Sequence, residues 1–116
     1  MRKKRNKDES TPKDMVIRLT MVFWDWYLRT NDEETRGVDS TVYQVALRLC
    51  YESFDEMTNP RSVAKTSYSD IGRRCGKGWR STKAAIEALE RCGLIHTRAT
   101  ANGLFLMMEE DFGKEE

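Results

Sequence analysis

Apolar side chains fall into helical rhythm soon after the start of the chain. Met15, Leu19, Val22, Phe23 and Trp26 recur at intervals of three and four, and Val16, Ile17, Trp24 and Tyr27 widen the stripe. That spacing predicts an amphipathic helix. Thr11-Pro12-Lys13-Asp14 supplies its start: a hydroxyl that accepts backbone N–H groups, a proline suited to the first helical position, and an acid at the positive helix end. The apolar face is broader than one small core needs, which predicts packing against a second copy. Residues 31–39, polar and containing Gly37, read as a loop. A second helix is expected from Asp39 or Ser40, with Val42, Val45, Ala46, Leu49, Cys50 and Phe54 on one face. Asn59-Pro60 stops it, because the residue before proline is pushed out of the helical region.

The rhythm then shortens. Ser62–Thr66 reads as a very short strand. Ser67-x-x-Asp70 is a cap followed by an acid and opens a short helix to Cys75. Gly76-Lys77-Gly78 breaks it, and a longer helix is expected from Trp79 to Cys92, closed by Gly93 in the left-handed conformation. Residues 94–98 and 104–108 read as two strands. The connection 99–103 contains Asn102-Gly103, the strongest short hairpin signal in the chain. The first ten residues lack apolar periodicity and are expected to form a flexible basic arm, and 109–116 an acidic tail. Between them, 11–108 form one domain, mainly α with a small β-hairpin, in an α+β class. A chain of 116 residues suits a single domain.

Charge changes this picture only when it is placed along the chain. The formal net charge of +1, taken whole, argues against a nucleic-acid partner, since such domains carry a basic excess. By segment it is a cancellation: +5 over residues 1–7, −6 over 8–60, +6 over 61–98 and −4 over 99–116. The basic block coincides with the short helix, the glycine turn and the longer helix. Oriented binding is therefore expected, with acidic faces turned from phosphate and weak non-specific affinity.

Other chemistry is sparse. Cys50, Cys75 and Cys92 are an odd number with no CxxC pair and no secretory signal, which favours buried free thiols in a reducing, cytoplasmic setting. One histidine, His96, cannot complete a zinc set of about four ligands and reads as a strand residue. No apolar run approaches the ~20 residues of a membrane span. The stretch Gly72–Gly78 lacks the spacing of a phosphate loop and its Ser/Thr after lysine, and Ser10-Thr11-Pro12-Lys13 matches S-x-x-K without any companion motif. No catalytic constellation, metal site or cofactor site is expected.

The order helix, short strand, short helix, glycine turn, longer helix, hairpin resembles the winged helix-turn-helix family, here with an extra N-terminal helix. The residues that carry the resemblance lie in SYSDIGRRCGKGWRSTKAAIEALERCGLI (67–95): Ile71, Gly72, Gly76, Ala85, Ile86, Leu89 and the closing Gly93-Leu94-Ile95. The resemblance implies that helix 79–92 enters a major groove, which is wide enough to admit it. Trp79, Arg80, Ser81, Lys83 and Ala84 then stand on its free side or first turn. Ser67, Arg73 and Arg74 on the positioning helix and Lys77 in the turn join them, with Arg98, Thr100 and Asn102 on the wing. Three positions depart from the family pattern: Gly78 replaces a Ser/Thr cap, Thr82 stands where a buried Val is common, and Gly72 replaces Ala, allowing two backbones to approach.

Residues 20–108, with FWDWY and YQVALRLCYESF ahead of the helix-turn-helix, are similar to the N-terminal domains of DnaD-like phage and plasmid replication proteins. The expectation is a sequence-specific binder of double-stranded DNA: a small transcriptional regulator, or an accessory factor of replication or of a mobile element. It is expected to be a homodimer reading half-sites one helical turn apart. The alternative is a module that binds a replication or mobile-element protein. In both readings Phe23, Trp24, Trp26 and Tyr27 are the candidate partner-binding residues.

Overall fold

The computed structural model describes residues 12–109. The basic arm at 1–10, the Thr11 cap and the acidic tail beyond Glu109 lie outside them. The elements in chain order are α1 (Pro12–Arg29), α2 (Ser40–Glu52), β1 (Ala64–Thr66), α3 (Tyr68–Cys75), α4 (Trp79–Arg91), β2 (Ile95–Thr100) and β3 (Gly103–Met108). The result is an α+β fold, with four helices and one antiparallel sheet of order β1-β3-β2 among the described residues. None of these helices is long and apolar enough to cross a membrane.

Helix α2 is the axis of the molecule, packing against α1, α3, α4, β1 and β3. It therefore buries two faces where the sequence pattern shows one. Tyr43 and Leu47 are fully buried beside Val42, Ala46, Leu49 and Cys50, whereas Val45 and Phe54 are only half-buried. Asp39 caps α2, its Oδ1 accepting the Thr41 and Val42 N–H groups at 2.9 and 3.1 Å. The helix ends at Glu52, ahead of the Asn59-Pro60 stop. Asn59 instead ties the connection together: its amide donates to the Ser53 and Val63 carbonyls and accepts the Val63 N–H. From α1, Met15, Leu19 and Phe23 enter the core, and Phe23 stacks on Tyr43 with ring centroids 4.4 Å apart.

Helices α3 and α4 meet through glycine. A Cβ on Gly72 would lie 2.5 Å from the Lys77 carbonyl oxygen and 2.6 Å from Thr82 Oγ1, so the close approach expected of this position is real. Thr82 is fully buried, and its hydroxyl donates to the Gly78 carbonyl at 2.9 Å. This satisfies the polar group that a valine would not bring. Gly76 and Gly93 take left-handed φ values of 74° and 80° at the ends of α3 and α4, and the Gly93 and Leu94 N–H groups close α4 onto Glu90 and Leu89.

The hairpin turn lies one residue earlier than Asn102-Gly103 predicts. Thr100 pairs with Gly103, so Ala101 and Asn102 are the central residues, and neither has a positive φ. The primed turn, which needs positive φ at both, is absent. Positive φ falls instead on Gly103, at 135°, where a Cβ would sit 3.3 Å from the Thr66 carbonyl. On the far side of β3, β1 pairs Thr66 with Leu104.

Candidate nucleic-acid interface

Helix α4 divides cleanly. Thr82, Ala85, Ile86, Ala88 and Leu89 are buried, and Trp79, Arg80, Ser81, Lys83 and Ala84 are exposed. The division follows from the 3.6-residue period: residues three and four apart share a face. Gly78 stands at the N-cap with no side chain to bond the first amides, so backbone N–H groups of the first turn remain available at the positive helix end. Trp79 there is half exposed, and the Arg80 guanidinium lies 5.5 Å from its ring centroid, within cation–π range.

The cations of the basic block are not equivalent. Asp70 pairs with Arg73 and, at 3.6 Å, with Arg74. Lys83 lies 3.6 Å from Glu87. Lys77 reaches Asp39 across the fold at 2.8 Å. The Lys77 ammonium is held above its ordinary pKa by that carboxylate. Partial burial alone would raise the Asp39 pKa, but Lys77 and the Val42 and Thr41 amides outweigh it and hold the carboxyl below 3.8. Among the described residues Arg80 and Arg98 have no carboxylate at ion-pair distance. Exposed pairs contribute only about 0–1 kcal/mol, so Arg73, Arg74 and Lys83 can exchange their carboxylates for phosphate at small cost. Lys77, less exposed and anchored to a helix cap, cannot do so as freely.

Ser67 is an N-cap, its hydroxyl accepting the Asp70 N–H at 3.0 Å. Arg98, Thr100 and Asn102 are exposed on the hairpin, and the Thr100 hydroxyl accepts the Asn102 N–H at 3.0 Å, holding the tip. Glu90 joins the hairpin to α4, accepting the Thr97 hydroxyl and N–H at 2.8 and 3.4 Å. The register also places Lys65, Phe105 and Arg98 in one row across the three strands. Beside them runs a groove of about 460 Å³ lined by Arg61, His96, Arg98, Phe105 and Met107 among others. Lys65 and Arg61 are absent from the sequence-based set. Only the pairing of the three-residue β1 with β3 brings them to this face.

The partner-binding set needs one correction. Phe23 is fully buried and belongs to the core, because α1 turns residues 15, 19 and 23 toward α2. Trp26 and Tyr27 are partly buried against the same core, and Trp24 alone of the four is exposed. The large apolar residues that α1 leaves in water are Ile17, Met21, Trp24 and Leu28. Met21 and Leu28 share a helical face with Ile17 and Trp24, and that spacing is the sequence signal for them.

All three cysteines are free thiols. Cys50 is buried with Sγ 3.7 Å from the Leu106 carbonyl, and burial pushes its pKa up to about 12. Cys75 and Cys92 are half-buried, and burial raises both. His96 is exposed on β2, with Nε2 2.7 Å from Glu109 Oε1. No group of three or more metal-ligating side chains gathers among the described residues. Comparison with family models, with curated proteins and with solved structures finds no match.

Proposed function

We propose that the chain binds duplex DNA as a winged helix-turn-helix, with α4 in the major groove and the β2–β3 hairpin as a wing on the flanking backbone. The observation that carries this reading is the exposed row on α4: Arg80, Ser81, Lys83 and Ala84 side by side, no acid before Glu87, and Trp79 at the leading edge. Arginine and lysine reach guanine edges or phosphates, serine reads either partner, and alanine contacts a thymine methyl. The element order and the antiparallel β1-β3-β2 sheet support the winged form. The role is that of a small transcriptional regulator or an accessory factor of replication or of a mobile element, in keeping with the resemblance to DnaD-like N-terminal domains.

A gel-shift titration of labelled duplex, first random and then selected from bound fragments, tests this at two salt concentrations. Wild type binds with an affinity that falls steeply with salt. The Arg80→Ala/Lys83→Ala pair loses the preference for selected over random duplex. Failure of the wild type to shift any duplex at low salt removes the reading. The alternative, a winged helix that binds a replication or mobile-element protein, is favoured by the large apolar residues that α1 leaves exposed, Ile17, Met21, Trp24 and Leu28.

A further inference from the structure

Strand β3 is apolar at every position from Leu104 to Met108. Strands read that way when both faces of their sheet are covered, whereas a half-solvated sheet alternates apolar with polar. Here one face is covered: Leu104, Leu106 and Met108 are buried on the core side, where α2 packs against β3. Phe105 and Met107 stand on the other side, half-buried, in the middle strand of the sheet. They line the open groove of about 460 Å³ together with Arg61, His96 and Arg98.

Cations frame this apolar centre. The register sets Lys65 on one side of Phe105 and Arg98 on the other, with His96 beside Met107. Directly opposed residues on one sheet face hold their Cβ atoms about 4.5–5.5 Å apart, so both charges lie within reach of whatever covers the ring. Arg61, Lys65 and Arg98 are exposed. Among the described residues none of the three has a carboxylate at ion-pair distance. Glu109, two positions beyond Met107, is engaged by His96 Nε2 at 2.7 Å and leaves these three charges uncompensated.

The chemistry of the face selects its occupant. A purely apolar ligand would strip water from three cations without pairing them, and a purely anionic one would leave the ring in water. A nucleic-acid strand offers both parts, phosphates for the cations and a flat base for the ring. A duplex offers only the phosphates to such a surface, because its bases are stacked inside. An aromatic ring on a sheet, flanked by Lys and Arg, serves a strand whose bases are free to leave the stack.

We propose that the outer face of the β1-β3-β2 sheet binds single-stranded nucleic acid, with a base on Phe105 and the backbone along Lys65, Arg98 and Arg61. The site lies on other elements than the exposed row of α4, and Arg98 alone belongs to both surfaces. Fluorescence anisotropy of the full chain with a labelled oligothymidylate of about 12 nucleotides tests it at about 50 and about 200 mM salt. Wild type binds, more weakly at the higher salt. Phe105→Leu keeps the circular dichroism and the salt slope and loses about 5-fold or more in affinity, whereas Phe105→Tyr, which keeps the ring, stays within about twofold. Lys65→Ala reduces the slope of log K against log salt by about 0.7.

No binding at the lower salt overturns the proposal, as does a Phe105→Leu protein that binds like wild type. Equal losses on the oligothymidylate and on duplex for Phe105→Leu assign the face to duplex and overturn the single-strand site. Binding of a labelled peptide of residues 110–116, where the oligothymidylate fails, assigns it to an acidic polypeptide. The duplex gel shift with Arg80→Ala/Lys83→Ala reads α4 separately, so each reading can fail without the other.

Discussion

Asp39 and Lys77 connect two elements that never touch in sequence. Asp39 Oδ1 caps α2 through the Thr41 and Val42 amides, while Oδ2 meets Lys77 Nζ at 2.8 Å in the turn between α3 and α4. One carboxylate thus sets the start of the central helix and the position of the glycine turn that aims α4. Asp39→Ala removes both functions and lowers stability by about 1–3 kcal/mol, most of it from the cap. Asp39→Asn keeps the cap, because asparagine caps as well as aspartate, and costs only about 0.2–1 kcal/mol. Lys77→Met resembles Asp39→Asn. Urea denaturation of the three variants orders them.

The same carboxylate gives the protein an acid limit. The Asp39 pKa is lowered in the fold, so its contribution is complete above the ordinary value of 3.8 and is lost as pH falls through the depressed one. Asp55 acts in the same direction, its carboxyl lowered by the Thr58 and Met57 amides. The urea midpoint is expected to be flat from neutral pH to about pH 4.5 and to fall below it. Asp39→Asn shows a smaller fall between pH 5 and pH 3. An equal fall in both proteins assigns the acid limit elsewhere.

Two glycines of the helix pair respond oppositely to substitution. Gly72→Ala drives a Cβ into the Lys77 carbonyl and the Thr82 hydroxyl. The carbonyl is backbone and cannot swing aside, so the expected loss is about 2–4 kcal/mol. Gly78 has open space around it and a φ of −74° that any residue adopts. Gly78→Ser adds the missing cap and reduces unfolded-state freedom, raising stability by about 0.5–1 kcal/mol. Thermal melts separate the pair by sign.

Core and surface on α1 are distinguished the same way. Phe23→Ala removes a fully buried ring stacked on Tyr43 and costs about 3–5 kcal/mol. Met21→Ala, one turn-face away and mostly in water, changes monomer stability by less than about 0.5 kcal/mol. Denaturation at low protein concentration keeps self-association out of the comparison.

If α4 and the hairpin contact DNA as proposed, their arginines behave differently. Arg98→Ala weakens binding to all sequences alike and reduces the slope of log K against log salt by about 1. Arg80→Ala costs about 1–3 kcal/mol on the selected site and relaxes preference there. Titrations at four salt concentrations on selected and random duplex measure both. Equal loss on both duplexes for Arg80→Ala makes it a phosphate contact.

Local rules in the sequence were enough for the elements and their ends. Apolar spacing located α1 and α2, and a cap, a glycine break and a closing glycine located α3 and α4. The Ser67 cap, the α2 start at Asp39 or Ser40, the break at Gly76 and the left-handed Gly93 were legible because each is decided within a few residues. The exposed face of α4 was legible through the helix-turn-helix resemblance, whose pattern puts Arg80, Ser81 and Lys83 on the free side of the helix. What required the tertiary structure was every decision between distant segments. Two buried faces on α2 depend on how many neighbours surround it, and Phe23 entered the core because Tyr43 lies beneath it. Lys77 lost its freedom to Asp39, 38 positions earlier in the chain. The hairpin turn lies one residue earlier than Asn102-Gly103 predicts, and the pairing of β1 with β3 leaves Gly103 against the Thr66 carbonyl, where a side chain would be crowded. Periodicity reports which side of an element is apolar; which apolar side is covered depends on packing between elements, and on α1 that left a second row facing water.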